Sequence, residues 1–334
     1  MREAGGRVGY ALGIDIGGTK CAVALGRREA ERPVVVWKAS FPTAEAGGPG
    51  PVLERLAGLA DRALAESGIE ASRIEGIGIS CGGPLDSRRG LVLSPPNLAG
   101  WDEVPVSAFF QARYGVEARL QNDANACALA EWRYGAGRGA SDMVFLTFGT
   151  GLGAGIILGG TLLDGASSMA GEVGHIRLAE FGPVGYGKEG SFEGFCSGGG
   201  IAQLARSMAL EAFQACRDVG YCPGPDALPG VDAKAVAKAA FAGDALAAAV
   251  YARCGTYLGR GLAILVDILN PELIALGGIF PRCEPLLRPT MEAELERESL
   301  ERSRSACRIV GAGLGEELGD LAALSIVFGK EEGD

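Results

Sequence analysis

Histidine is nearly missing from this chain of 334 residues: it occurs once, at His175. Among the nine cysteines (Cys21, Cys81, Cys127, Cys196, Cys216, Cys222, Cys254, Cys283 and Cys307) no two stand as C-x-x-C. An odd number at scattered spacing fits neither a disulfide framework nor a zinc ribbon. Several lie in apolar runs and read as small core residues, so reduced thiols in a cytosolic protein are expected. No cluster of Lys and Arg offsets the formal net charge of -10. Nucleic acid is therefore not an expected partner, because its phosphates call for a basic face. The pairs Arg27-Arg28 and Arg88-Arg89 read as solvated surface. Long apolar runs are missing as well. The longest, Gly261 to Leu269, is broken by Asp267, and the N-terminus lacks the apolar segment of a signal peptide. No membrane partner is expected, and the cytoplasm is the expected location.

Glycine is what the chain has in abundance, with 54 residues gathered in short clusters beside apolar runs. That pattern implies tight turns and close backbone approach to ligands, not a linker or a fibre. Hydrophobic residues make up 48% and charged residues 22%, enough for a sizeable core, and the length suggests two domains.

The chain opens with strand, glycine turn, strand. Leu12, Ile14 and Ile16 alternate with smaller residues, Gly17-Gly18 break the run, and Cys21 to Leu25 resume it. Residues 43–51 read as a loop. Val52 to Ser67 has helical spacing through Leu53, Leu56, Leu59, Ala60, Ala63 and Leu64, with Gly68 as its stop. Ile74 to Ser80 is a buried strand, Val116 to Leu120 a shorter one, and Asn122-Asp123 begin a helix that reaches Tyr134. A second strand, glycine turn and strand follow over Met143 to Leu158. The glycine-dense stretch 182–200 is not expected to be regular helix. Helices are expected over Ala202 to Ala215, Ala233 to Gly255, Thr256 to Leu269 and Asp320 to Phe328, and a strand over Leu273 to Leu276 before Gly277-Gly278. The two hairpins share one design and lie about one domain apart. A duplicated unit with a ligand between its copies explains both.

The chemistry sits on these turns. In Asp15-Ile16-Gly17-Gly18-Thr19-Lys20 the glycines let N–H groups approach anionic oxygens, Thr19 adds a donor, Lys20 a charge, and Asp15 a carboxylate for Mg²⁺, directly or through water. The pattern is neither a Walker A loop nor a dinucleotide fingerprint, because a strand follows it. An ordinary hairpin turn is the plainer alternative. Thr147-Phe148-Gly149-Thr150-Gly151-Leu152-Gly153 repeats the design, so the two together suggest a phosphate clamp. Asp123, at a strand-to-helix junction, suits acceptance of a hydroxyl proton, and the helix N-terminus favours its ionised form. Simple helix capping by Asn122 or Asp123 is the competing reading. Glu172 and His175 could hydrogen-bond sugar hydroxyls, or His175 could be a satisfied core histidine.

At this point the ordered motifs identify a family. DIGGTK (15–20), PNLAGW (96–101), ND (122–123), TFGTGLG (147–153), GEVGH (171–175), E-x-x-x-SGGG (193–200) and NPELIALGG (270–278) run nearly end to end. The chain resembles the ROK group of repressors, open reading frames and kinases, within the actin/hexokinase ATPase superfamily. The resemblance implies an α/β protein of two ribonuclease-H-like domains with a cleft between them: residues 1–121, completed by a C-terminal helix 317–334, and residues 122–316. It implies ATP-dependent phosphorylation of a hexose or N-acetyl-hexosamine, with Mg²⁺. Asp123 would be the general base, and Asn122, Glu172, His175 and Glu193 would hydrogen-bond the sugar, with Gly83 and Asn97 in the same pocket. The loops at 15–20 and 147–153 would hold the ATP phosphates, and Gly277-Gly278 would lie near the adenosine. A homo-oligomer is implied too, with the apolar helices after Ala233 as a candidate interface.

One stretch departs from the family. Many members carry a zinc site in C-x-C-G-x-x-G-C-x-E, with the histidine of G-E-x-G-H as fourth ligand. Here those cysteine positions hold Val184, Tyr186 and Ser191, so no structural zinc is expected; packing by Tyr186 and Phe192 could replace it, or the pocket has shifted toward a different sugar, or activity has decayed, which the intact Glu172, His175, Glu193 and Asp123 oppose. Two other functions stay open on sequence. One is a sugar-responsive repressor, opposed by only fourteen residues ahead of Asp15 and by the acidic balance. The other is a sugar sensor without turnover, opposed by the retained Asp123 and both loops.

Overall fold

The computed structural model describes residues 9–329. The last residues of the expected helix 317–334 lie outside that range. Ten strands form two five-stranded sheets. The first contains β1 (Tyr10–Ile16), β2 (Lys20–Arg27), β3 (Val34–Pro42), β4 (Ile74–Cys81) and β5 (Ala118–Asn122), in the order β3-β2-β1-β4-β5. The second contains β6 (Met143–Phe148), β7 (Leu152–Leu158), β8 (Thr161–Leu162), β9 (Leu273–Leu276) and β10 (Arg308–Gly311), in the order β8-β7-β6-β9-β10. In both, the first three strands run antiparallel and the last two join parallel. The second sheet thus repeats the strand order of the first, as the paired hairpins suggested.

Helices cover the sheets because the central strands are buried on both faces. Along β1, Leu12, Ile14 and Ile16 pack with the apolar stripe of α1 (Pro49–Ser67), through Val52, Leu56, Ala60 and Ala63. Gly68 ends α1 at φ +65, the left-handed conformation glycine adopts without penalty. Residues 11, 13 and 15 point the other way, toward α8 (Leu318–Phe328). That approach is close: a side chain at Gly78 on β4 would meet the Ala323 carbonyl oxygen at 1.9 Å. In the second sheet, Val144, Leu146 and Phe148 of β6 join a core with α4 (Gly198–Gln214), α6 (Ala245–Leu269) and α7 (Phe280–Glu298). Met143 and Phe145 face α3 (Asp123–Tyr134) instead.

Three expectations about elements change. The helix expected over Ala233 to Gly255 is two, α5 (Ala233–Phe241) and α6, because Gly243 at φ +94 turns the chain and Asp244 caps the next helix by accepting from the Ala247 N–H at 2.7 Å. Beyond that break α6 runs without interruption to Leu269. No single described helix is long and apolar enough to cross a membrane, and the α5–α6 pair is bent by 117°. Within 182–200 the chain makes a small ribbon and a helical turn, and α4 begins at Gly198 with three glycines in its first turn. Not anticipated were β3, α2 (Val106–Tyr114), β10 and α7. Helix α7 holds Pro285 and Pro289, a residue type disfavoured in helix interiors, and is kinked at a non-helical Cys283.

Helix α3 lies between the sheets, against α8 on one side and β7 on the other. A side chain at Gly155 on β7 would meet the Ala128 Cβ at 2.4 Å. Near the end of α3, fully buried Glu131 accepts hydrogen bonds from the backbone N–H groups of Ala136, Gly313 and Leu314 at 2.8, 3.0 and 2.9 Å. It thereby holds the chain where it returns from β10 toward α8. Each orphaned buried N–H costs about 1–3 kcal/mol. Glu131→Leu is expected to destabilise the fold by roughly 3–5 kcal/mol, read as a fall in the denaturation midpoint. A change within about 0.5 kcal/mol, ordinary for a surface site, would remove this role.

Candidate active site

The first glycine loop joins β1 to β2. Gly17 donates its N–H to the Lys20 carbonyl at 3.2 Å, and a side chain at Gly18 would collide with the Asn97 backbone and Cβ at 2.6 Å. Asn97 is therefore packed on this loop. Thr43, not singled out in the sequence, holds the loop from outside. Its hydroxyl donates to the Gly17 carbonyl at 2.6 Å and its N–H to the Thr19 carbonyl at 3.0 Å. Gly18, Thr19 and Lys20 are left exposed.

The second loop joins β6 to β7 and is braced from three directions. Thr147 Oγ1 accepts from the Gly153 N–H at 3.2 Å. Gly277 and Ile279 donate to the carbonyls of Leu146 and Phe148 at 2.9 and 2.6 Å. Gly278 has φ +66, and a side chain there would strike the Phe148 oxygen. At the tip, the Gly149 N–H bonds the Gly151 carbonyl at 3.0 Å while Thr150 is exposed. The start of α4 also reaches this loop: Gly198 donates to the Gly149 carbonyl at 2.8 Å, and Ser197 caps the helix by accepting from Gly200. SGGG was legible as a motif, but its place against the loop was not.

Between the loops lies a group of carboxylates. Asn122 caps α3 with its Oδ1, which accepts from the N–H groups of Ala124 and Asn125 at 2.9 and 3.3 Å. Its amide nitrogen faces Gly83, where a Cβ would stand 3.4 Å from it and 3.9 Å from Glu172 Oε1. Asn122 therefore caps α3 and at the same time borders Gly83. The Gly83-Pro84 peptide is cis. Asp123 accepts from the Ala124 N–H at 2.8 Å and is open to solvent, yet the protein around it is thick enough that burial raises its pKa. Asp15 is pushed up to about 6, chiefly by burial and then by Asp123, with Lys20 opposing. Burial raises Glu172 too, helped by Asp123 and Glu193 and opposed by His175. Glu193 accepts from the Leu152 N–H at 3.0 Å, which ties it to the second loop. The four carboxylates thus share one field. The glycine loops make no hydrogen bond to each other among the described residues.

The segment with the substituted zinc positions is held by side chains. Gln203 brackets Val184, accepting from its N–H and donating to its carbonyl, both at 2.9 Å. Lys188 donates to the His175 carbonyl at 2.6 Å. Ser191 is buried and caps the turn that carries Glu193. Phe192 is buried, whereas Tyr186 is exposed with its ring edge-on to His175 at 6.3 Å. Of the two aromatic residues only Phe192 is packed in the core, and the polar bonds above hold the rest of the segment. Among the described residues no group of three or more His, Cys, Asp or Glu is placed to hold a metal ion.

Two sheets of one topology, each offering a threonine-bearing glycine turn toward shared carboxylates, define an actin-like phosphotransferase fold. The chain belongs to the ROK family, whose model matches residues 11–330. It is 32% identical to a glucokinase of Halalkalibacterium halodurans over 93% of this chain and 92% of that one. Its fold matches the ROK hexokinase of Thermus thermophilus with a TM-score of 0.74 and 32% identity, covering 95% and 97% of the two chains. It also matches a ROK glucokinase of Streptomyces griseus, solved with glucose and AMPPNP, with a TM-score of 0.75 and 29% identity over 96% and 100%. The chain is a carbohydrate kinase.

The raised pKa of Asp15 has a consequence for stability. Its neutral form is favoured in the folded state, so its contribution is fully present below the ordinary value of 3.8 and lost as pH rises through about 6. Asp15→Asn is therefore expected to raise the melting temperature of the ligand-free protein at pH 8 and to leave it unchanged near pH 3.5. A loss of stability at pH 8 would show that the carboxylate is favourably paired.

Proposed function

We propose that the protein transfers the γ-phosphoryl group of ATP to a hydroxyl of a hexose, with glucose the first candidate and N-acetyl-hexosamines the second. The observation that carries this is the position of Asp123, at the start of α3 beside Asn122, Gly83 and Glu172, and within the electrostatic reach of Asp15. The relatives named glucokinase support the choice of sugar.

The residues present fit the nucleotide. Side chains at Gly17 or Gly18 would collide with protein, so both loop positions are kept bare, and a Cβ at Gly149 would meet nothing within 4 Å beyond its own chain neighbours. We assign the phosphates to the N–H groups of the two loops with Thr19, Lys20 and Thr150, and the adenosine side to Gly277-Gly278. Asp15, whose field is shared with Asp123, suits Mg²⁺, directly or through water. Bound Mg²⁺-ATP supplies the phosphoryl group and neutralises the charge that develops on it.

The chain's own residues do the rest. Asn122, Glu172, His175 and Glu193 accept and donate hydrogen bonds to the sugar hydroxyls, with Gly83 and Asn97 leaving room for the ring. Asp123 takes the proton of the attacking hydroxyl, for which it must be ionised. Its raised pKa makes it a stronger base than a free aspartate, and makes activity fall as pH drops through that value. The domains are taken as 1–121 with the C-terminal helix, and 122–316, with the sugar between them. Closure over it would exclude water. A cytoplasmic homo-oligomer completes the reading; Phe241 and Ile268, exposed on α5 and α6, support an interface there.

ADP release from Mg-ATP is measured against a panel of hexoses and N-acetyl-hexosamines. Asp123→Asn is expected to lower kcat by about 10²–10⁴-fold while calorimetry shows sugar binding retained. Folded wild-type protein that binds a sugar without releasing ADP would overturn the kinase reading in favour of a sensor.

A further inference from the structure

A cavity of about 1370 Å³ lies apart from the carboxylate site. None of Asp15, Asp123, Glu172 or Glu193 lines it. Its walls come from β5 and α2 on the side of the first sheet, from the turn into β8 on the side of the second, and from α3 and the end of α8 between them. Five arginines line it: Arg28, Arg88, Arg89, Arg119 and Arg133. One carboxylate, Glu117, does so among the described residues, and it pairs with Arg119 at 2.8 Å. Such an excess of positive charge is unexpected in a chain of net charge -10. The Arg88-Arg89 pair, read from sequence as solvated surface, belongs to this wall.

The arginines are not equivalent. Arg28 pairs with Glu75. Arg88 and Arg89 reach carboxylates only loosely, Asp164 at 4.0 Å and Asp86 at 3.9 Å, with side chains 70% and 64% exposed. Among the described residues Arg133 has no carboxylate partner. Its guanidinium donates to the carbonyls of Ser325 and Gly329 and lies 5.7 Å from the centre of the Trp132 ring. Burial holds it below the ordinary arginine value. A desolvated cation satisfied only by neutral acceptors keeps an unmet demand for negative charge. A second cavity of about 420 Å³ shares Trp132, Arg133 and Gly160 with the first and adds Arg138, so Arg133 stands at the junction of two basic spaces.

We propose that this cavity binds a small molecule bearing two or more phosphate-like groups, held by Arg133 together with Arg88 and Arg89. Guanidinium groups in a partly desolvated wall bind such oxygens through paired, charge-assisted hydrogen bonds. The ligand would bridge walls from both sheets. It would also act on α3, the helix that begins at Asp123 and carries Arg133 in its last turn. Occupancy therefore shifts the KM for sugar.

The test uses inorganic tripolyphosphate as the probe, titrated by calorimetry into the full chain with sugar and AMPPNP present in excess. One binding event is expected, weakened by added salt and by about tenfold or more in Arg133→Met. Because Arg133 also holds two carbonyls, the exposed double variant Arg88→Gln/Arg89→Gln is measured beside it, with a thermal melt to show that each is folded. The same double variant should abolish any effect of tripolyphosphate on the KM for sugar. These arginines lie outside both glycine loops, so their loss separates this cavity from the nucleotide site. Absence of binding, or binding unchanged in the folded variants, would overturn the proposal.

Discussion

Helix α3 and the buried carboxylate near its end set the frame for the rest of the molecule. Its first turn carries Asn122 and Asp123, and its small residues let β7 approach within contact at Gly155. Through Glu131 it grips the backbone at Gly313 and Leu314, where the chain leaves β10 for α8. The polypeptide passes between its two sheets before α3 and again after β10, and one helix governs both passages. A carboxylate satisfied by three backbone donors is a demanding anchor, because removing it leaves several buried groups without partners at once.

The chemistry depends on a second constraint, the crowding of negative charge between the glycine loops. Asp15, Asp123, Glu172 and Glu193 are contributed by widely separated segments, and burial raises the first three. Such a site is unfavourable when empty, and in the proposed function it would be relieved by a cation beside Asp15 and hydroxyl donors beside the others. The preference for occupied states arises from this electrostatic cost and from the bare glycine turns.

Much of this was legible in the chain. The two hairpins announced a duplication because strand, glycine turn and strand recur with threonine in the same role. Asn122-Asp123 announced a strand-to-helix junction, and their capping and site readings turn out to be compatible, since Oδ1 caps and Nδ2 faces Gly83. Less legible were elements whose local signals conflict. The prolines of α7 concealed a helix that its packing against α6 stabilises, and Gly198 to Gly200 opened a helix where glycine density argued against one. Thr43 and Gln203 carried no signal at all, because each acts through backbone atoms far along the chain.

What the sequence by itself determined is the set of turns, the alternation of buried strands and the order of family motifs, all of which rest on local periodicity and on residues that tolerate few conformations. Which residues share a site was decided only by tertiary structure. Val184, Tyr186 and Ser191 could be read as missing ligands, but not that Gln203, Lys188 and a buried serine hold the segment instead. Arg88 and Arg89 are solvated surface, as their sequence suggests, and only the walls of both sheets place them in one cavity with Arg133. Charge and hydrogen-bonding demand are settled by neighbours in space, and a linear pattern does not encode the distance between segments a hundred residues or more apart.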